Sequence, residues 1–443
     1  MGGCVRDALL GREPADYDIA VETEPDRYAA ELAEKTGGRA VRLGPVDHPL
    51  FRVVTPDLAV DIQPLLGGSI DADLRQRDFT VNAMAIAIGD RRLVDPTGGR
   101  ADLKRQRIRM VSPTAFQRDP VRLVRAFRMA AALGFSVESR TLDAISHLKS
   151  GIGRSAGERI QAELEKLFAT GSAAPQVRRM ADVELLFALF PEMTPLRGCL
   201  QNLHHHFDVL DHTLQTLARL ETLLSDPPAD LAGLSRRVRA EAGTAVNLHW
   251  AVLFHDLGKP VTRRETETGA VVFRGHDRRG AALAGSITDR LRFSRKTSAA
   301  VLSLIALHLR PLWLFLSHRR GALTVRGITR CFIRCGELTP ALLVHAAADH
   351  LGKVPGAAVP AADPFLSFIA DLHHRFINRF EVRRREPPLI TGHDLIRELG
   401  ISPSPLVGRL LKRLETERMA GEITTRQAAL RRASKWLTEI SDP

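Results

Sequence analysis

The sequence is poor in cysteine. Its four thiols, Cys4, Cys199, Cys331 and Cys335, are too few and too scattered across 443 residues for a disulfide framework. Cys331 and Cys335 stand one helical turn apart with no other cysteine near them, which reads as two buried thiols on a helix rather than as metal ligands. There is no signal-peptide pattern and no apolar run of membrane length, so a cytoplasmic protein without a membrane partner is expected. Internal repeats and long low-complexity tracts are also missing, which leaves no ground for a repeat architecture. Acidic residues are in short supply: 51 Asp and Glu face 63 Lys and Arg, a formal charge of +12. Arginine dominates the basic set and suits bidentate phosphate contacts and base stacking. A basic surface favours a nucleic-acid partner, bound less tightly as salt rises. A general preference for arginine codons is the plain alternative. The length implies two to four domains.

Up to about residue 110 the pattern is α/β. Short strand-like runs at Tyr17–Val21, Ala40–Arg42, Phe51–Thr55, Ala59–Ile62 and Ala83–Ile88 are separated by Gly- and Pro-containing turns. From Pro120 onward the spacing is helical, as in Leu123, Phe127, Ala130 and Ala131, with Gly134 a stop signal. Further helices are expected over Arg159–Phe168, Ala181–Leu189 and Thr213–Leu224. Asp226–Thr244 reads as a loose connector, and Gly352–Asp363 as another.

The richest chemistry lies near the start. Gly2-Gly3-Cys4-Val5-Arg6-Asp7 is followed closely by Asp16-Tyr17-Asp18. Residues two apart on a strand share a face, so Asp16 and Asp18 point into one pocket. Two such carboxylates suit Mg²⁺, and paired glycines let backbone N–H groups approach phosphate. Two further runs follow: Gln76-Arg77-Asp78-Phe79-Thr80-Val81-Asn82-Ala83-Met84, and Asp95-Pro96-Thr97-Gly98-Gly99-Arg100-Ala101-Asp102-Leu103. Singly each is weak, since Asp-x-Asp is commonly a solvated turn and Arg-Asp a surface ion pair.

In order, together with Asp119-Pro120-Val121-Arg122-Leu123-Val124-Arg125-Ala126 and Ser155-Ala156-Gly157-Glu158-Arg159-Ile160, these motifs resemble the class II tRNA nucleotidyltransferases, the CCA-adding enzymes with their A-adding and poly(A) polymerase relatives. The resemblance implies an α+β head of the polymerase-β type followed by an all-α neck, body and tail. It also implies an apolar strand leading into the glycine turn, which this sequence, with Met1 against Gly2, does not carry. Asp16 and Asp18 are then catalytic ligands of Mg²⁺. Asp61, on a neighbouring strand pattern, is the candidate third carboxylate, with a strand-end surface position as the alternative. Gly3, Arg6, Arg77, Asp78, Asn82, Asp119, Arg122 and Arg125 form the implied nucleotide site. Asp119 and Arg122, three apart, are expected on one helix face. A carboxylate accepts and a guanidinium donates, matching the amino donor beside a ring-nitrogen acceptor that cytosine and adenine share and that uracil and guanine reverse. Unpaired polar groups would then reject UTP and GTP. The plain alternative for Asp119 is a helix N-cap before Pro120. Arg118 stands where the family usually carries an acidic residue.

A second constellation comprises His212, His255-Asp256 within His-Asp-Leu-Gly-Lys, His276, His308 and Asp349. Imidazole with carboxylate suits a transition metal or Mg²⁺. This block resembles the HD phosphohydrolases. The resemblance assigns His212, His255, Asp256 and Asp349 as ligands of a divalent metal of unspecified identity, and His276 and His308 as phosphate-site residues. It implies phosphatase or 2′,3′-cyclic phosphodiesterase activity. In the run His204-His205-His206, His206 is a further candidate for the metal site. Thr391-Gly392-His393-Asp394 reads as a helix start, and the basic tail (Arg426, Arg431, Arg432, Lys435) as a surface for the tRNA backbone.

The expected organisation is a nucleotidyltransferase head over 1–112, a neck over 113–175, a body with the HD domain over 176–360 and a tRNA-binding tail over 361–443. The expected activity is template-independent addition of nucleotides from CTP and ATP to the tRNA 3′ end. An A-adding enzyme or poly(A) polymerase is the alternative within the fold. An HD metallophosphohydrolase with a vestigial head, or a non-catalytic RNA-binding module, is the alternative outside it.

Overall fold

The computed structural model describes residues 1–14, 16–44, 49–201, 207–354 and 363–441. The chain divides into two compact units, residues 1–194 with 290–292, and residues 195–289 with 293–443.

The first unit holds a four-stranded sheet of β1 (Asp16–Val21), β2 (Arg39–Leu43), β3 (Leu50–Val54) and β4 (Ala59–Pro64), in the order β1-β4-β3-β2. β1 and β4 are parallel, while β3 is antiparallel to both β4 and β2. Period-two alternation decides what each face carries. Val60 and Ile62 of β4, with Val53 of β3, pack on Ala29 and Ala33 of the Pro25–Thr36 helix, and Ile19 and Val21 of β1 join them. Asp16, Asp18 and Asp61, out of phase with those residues, fall on the other face, and the register sets Asp18 opposite Asp61. The fifth strand-like run contributes only Ala85–Ile86, paired with Leu93–Val94 in a separate two-stranded ribbon.

Helices follow. The Arg122–Leu133 helix ends at Gly134, whose φ of 71° is the left-handed turn the sequence predicts there. Asp119 is not on that helix. It ends the preceding Pro113–Arg118 helix in an extended conformation, and its side chain caps nothing. Pro120 explains the break, because the residue before a proline is driven out of the helical region. Both sequence-based placements of Asp119, on the helix and as its N-cap, are thereby corrected.

The second unit is helical apart from the short Arg264–Glu265 and Val271–Val272 ribbon. The Thr339–Leu351 helix is buried along nearly its whole length, with Val209–Ser225, Ala242–Phe254 and Arg295–Leu307 packed against it. Two expectations fail here. The stretch read as a connector contains the Ala232–Ala240 helix, because Leu231, Leu234 and Val238 have helical spacing and are 2% exposed or less. Arg295–Arg319 is apolar and long enough to cross a membrane by length and composition. It forms two helices, Arg295–Leu307 and Arg310–Arg319, and carries His308 between them to a position 2% exposed, inside the histidine cluster. The thiols of Cys331 and Cys335 lie on one helix, 3.9 Å apart. The Gly392–Leu399 helix begins as expected, with Thr391 and Asp394 closing a reciprocal capping box. Leu395, Leu410, Leu414, Ala433 and Trp436 give this last segment a small core of its own.

Candidate active sites

In the first unit a cleft of about 490 Å³ is lined by Gly3, Arg6, Asp18, Arg77, Arg122 and Arg125, with Asp78, Asn82, Arg128, Glu163 and Lys166. Its cations are held in place by carboxylates. Arg6 makes two 2.8 Å hydrogen bonds to Asp7 and donates to Asn82 Oδ1 at 2.6 Å. Asn82 in turn donates to Asp78, which is 8% exposed and also accepts from Arg125 at 3.2 Å. Burial opposes ionisation of Asp78, but the Arg125 guanidinium, the Asn82 amide and the Phe79 N–H together hold its carboxyl below the usual range. Arg125 and Arg128 share Glu163 at 2.8 and 2.6 Å, and Arg77 is anchored on Asp73 at 3.1 Å. Fork-like guanidiniums fixed in this way lose little freedom when they bind an anion.

Asp18 lines the cleft, whereas Asp16 is exposed at the start of β1. The Asp18 carboxyl is pushed up chiefly by burial, with Asp61 and Asp16 adding like charge, while the Arg77 guanidinium pulls it back. Neither aspartate makes an ion pair among the described residues, so carboxylates crowded on one face fit a divalent cation. Asp61 is engaged differently: Arg52 grips both its oxygens at 2.7 Å. Gly2 has a φ of 79°, and a Cβ there would lie 2.7 Å from Arg77 Nη1 and 3.1 Å from Asp18 Oδ2. The glycine turn thus admits both side chains.

Asp119 faces Arg122 at 3.5 Å and accepts from Arg159 at 2.8 Å, leaving its buried Oδ1 without a hydrogen bond. Arg122 Nη1 donates to the Gln76 carbonyl at 3.2 Å. Burial is the chief influence lowering the pKa of Arg122. Arg118 donates to Gln76 Oε1 at 3.0 Å, so the departure from the family pattern makes a contact to the Arg77 motif. The Asp95 and Asp102 run is a brace: Asp95 accepts from the N–H groups of Gly99 and Arg100, and buried Asp102 accepts from Thr80, Arg107 and Arg109.

In the second unit five helical segments converge their imidazoles. His212 Nε2 lies 3.0 Å from Asp349 Oδ1 and 3.6 Å from Asp256 Oδ2. His255 Nε2 is 3.1 Å from Asp256 Oδ2, and His276 Nε2 is 3.4 Å from Asp256 Oδ1 and 3.2 Å from His308 Nε2. Two triads of mutually close ligand atoms result, His212-His255-Asp256 and Asp256-His276-His308, both fully buried. The other ring nitrogens of His255, His276 and His308 sit 2.7–2.8 Å from backbone carbonyls, which aims Nε2 inward. The buried Nε2 of His255 and both oxygens of Asp256 make no well-directed hydrogen bond, a donor set that fits a metal ion. Burial opposes ionisation of Asp256, yet His255, Lys259 and His276 hold its carboxyl well below the usual range. Burial, then the charges of His255 and His276, push His308 down to about 3, so its imidazole is neutral. The Gly258 turn lets the His276 helix approach: a Cβ at Gly258 would lie 2.2 Å from the His276 carbonyl.

All four implied ligands and both phosphate-site histidines therefore meet in one cluster. His206 lies outside the described residues. The sequence reading missed His345, fully buried, whose ring stacks on His308 at 5.7 Å and meets His255 edge-on at 5.4 Å. Its signal was the spacing His345-x-x-x-Asp349, one turn before an implied ligand on the same helix. Lys259, 2.7 Å from Asp256, was missed likewise.

The chain matches the family model of the poly A polymerase head domain over residues 1–109 and that of the HD domain over 209–352. It also matches the model described as a probable RNA and SrmB-binding site of polymerase A over 134–196, and that of tRNA nucleotidyltransferase domain 2 over 368–433. It is 34% identical to the A-adding tRNA nucleotidyltransferase of Deinococcus radiodurans over 99% of this chain and 95% of that one. It is 31% identical to the CC-adding tRNA nucleotidyltransferase of Thermus thermophilus over 97% and 91%. In fold it is similar to the Thermotoga maritima CCA-adding enzyme complexed with tRNA, with a TM-score of 0.62 at 22% identity, covering 98% of this chain and 90% of that one.

Proposed function

The chain belongs to the tRNA nucleotidyltransferase family, and on that premise we propose that it builds and repairs the CCA end of tRNA from CTP and ATP in the cytoplasm. The observation that carries this reading is the single cleft into which Asp18, Arg77, Arg122 and Arg125 project. Arg6, Arg77 and Arg125, each braced by an acidic partner, hold the triphosphate and orient it along the cleft. Asp16 and Asp18, with Asp61 as third carboxylate once Arg52 yields, hold Mg²⁺. Bound there, Mg²⁺ supplies the charge that acidifies the 3′-hydroxyl and neutralises the triphosphate. The 3′-hydroxyl gives up its proton to water, its oxygen forms a bond to the α-phosphorus, the bond from that phosphorus to the oxygen bridging it to the β-phosphate breaks, and pyrophosphate leaves. Asp119, steadied by Arg159, accepts from the base amino group while Arg122 donates to the ring nitrogen. The chain is read as a head over 1–112, a neck over 113–175, a body over 176–360 and a tail over 361–443, with residues 176–194 belonging to the first compact unit.

The body is read as a second, hydrolytic centre. His212, His255, Asp256 and Asp349 hold a borderline transition ion, whose chemistry when bound is to activate water. His276 and His308 orient a phosphomonoester or a 2′,3′-cyclic phosphate. Support for a narrower transferase comes from the A-adding and CC-adding relatives. Incubating tRNAs truncated before each terminal residue with each triphosphate and Mg²⁺, then sequencing the 3′ ends, separates the cases. Complete CCA is expected. Addition of A alone to a CC end, or of CC alone, would replace that reading with a single-specificity enzyme, and no addition would overturn the transferase.

A further inference from the structure

The histidine centre opens into a cleft of about 520 Å³ with Asp256, His276, His308 and Asp349 among its lining residues. Trp313 also lines it and is 46% exposed. The other two tryptophans, Trp250 and Trp436, are 0% and 3% exposed. A large indole left uncovered beside a charged centre calls for an explanation, because burying it would have stabilised the helical body. Its surroundings supply one. Trp313 stands on the Arg310–Arg319 helix, one turn from Arg310, whose guanidinium carbon lies 5.1 Å from the ring centroid. Arg274, Arg278 and Lys353 add positive charge to the lining. An uncovered aromatic ring flanked by cations is the combination that binds a base by stacking while its phosphate is neutralised nearby. Inorganic phosphate or pyrophosphate would use the cations and leave the indole idle.

We propose that Trp313 is the base-stacking residue of this cleft, the side chain by which the centre prefers a nucleoside phosphoester, free or at the 3′ end of an RNA, over phosphoesters that carry no base. The inference rests on the hydrolytic reading of the centre and names the residue that selects its substrate. The base lies on the indole, and the phosphoester reaches His276 and His308 at the floor.

Tryptophan emission gives a readout independent of turnover. Residues 1–194 contain no tryptophan, so nucleotide bound in the head is silent. The full chain, stripped of metal with chelator, is titrated with adenosine 2′,3′-cyclic phosphate and, separately, with glycerol 2-phosphate. Saturable quenching by the nucleotide alone is expected. Quenching by neither, or equally by both, would overturn the proposal. With metal restored, Trp313→Ala is expected to raise KM for the cyclic nucleotide about 10- to 100-fold relative to KM for glycerol 2-phosphate, and Trp313→Phe to retain most of the affinity. An unchanged KM in Trp313→Ala would overturn the proposal while leaving the hydrolase intact. Saturable quenching with no hydrolysis of any phosphate would instead retire the hydrolase and keep the stacking site. A tRNA ending in a 2′,3′-cyclic phosphate that competes at lower concentration than the nucleotide assigns the site to RNA ends, and the reverse order assigns it to free nucleotides, both supporting base stacking.

Discussion

The head cleft and the histidine centre place the carboxylates proposed to hold metal in opposite surroundings. Asp16 and Asp18 stand on a sheet face, exposed and partly exposed, with anchored arginines around them. Asp256 is 1% exposed, enclosed by imidazoles and Lys259. The contrast follows from the work proposed for each. A site that accepts a triphosphate with Mg²⁺ must stay open, because phosphate oxygens and water complete the coordination. A site that keeps a borderline ion through many turnovers fills the coordination shell from the protein and buries it. On the proposed reading the first is a cradle for the substrate's charge and the second a cage for the ion.

The largest expected effect tests whether the two sites are independent. Asp18→Asn should lower nucleotide addition about 10³-fold, as loss of several kcal/mol of metal-borne stabilisation implies, and leave phosphate release intact. Asp256→Asn should do the reverse, with radiolabelled addition and phosphate release measured on the same preparations. Next, Asp119→Ala should relax base choice in the head about 10²-fold, read as the ratio of kcat/KM for CTP over UTP, because the donor and acceptor pairing is lost. Unchanged discrimination would move recognition elsewhere. Gly258→Ala tests the enclosure of the second site. Its Cβ would meet the backbone of the His276 helix at 2.2 Å, so about 2 kcal/mol of stability should be lost, and phosphate release with it, while addition persists. Thermal unfolding checks the first part. The smallest effect is confined to the tail. Asp394 is held down to about 2 by the Thr391 N–H and hydroxyl and by Arg426. A carboxyl depressed in the folded chain stabilises fully above its ordinary 3.8 and loses that contribution as pH falls toward 2. Asp394→Asn should therefore lower Tm at pH 7, and the difference should close near pH 2.

The two sites also differ in how much of each the sequence makes legible. The head motifs are contiguous, and strand alternation alone puts Asp16 and Asp18 together. What escaped was non-local: the grip of Arg52 on Asp61 depends on the β3–β4 register, and Arg159 reaches Asp119 from a helix 40 residues away. Asp119 was misplaced because the rule that proline starts helices competes with the rule that the residue before proline leaves them. The second site is spread over about 140 residues, and only its resemblance to HD phosphohydrolases gathers it. His345 stayed hidden because its one signal, the four-residue spacing to Asp349, counts only beside an implied ligand, and a Lys after a glycine carries no signal until neighbouring helices close on it. The 226–244 stretch was misread because charges and two prolines, Pro227 and Pro228, masked the spacing of Leu231, Leu234 and Val238.

The most direct test of two distinct metal centres in one chain is reconstitution. The protein is stripped with chelator and re-supplied with Mg²⁺ alone, then with Mn²⁺, Co²⁺ or Ni²⁺, and nucleotide addition to truncated tRNA is assayed beside phosphate release from a 2′,3′-cyclic end. Mg²⁺ alone should restore addition and leave phosphate release near background until a transition ion is added. Recovery of both activities in parallel with Mg²⁺, or loss of addition in Asp256→Asn, would contradict the account.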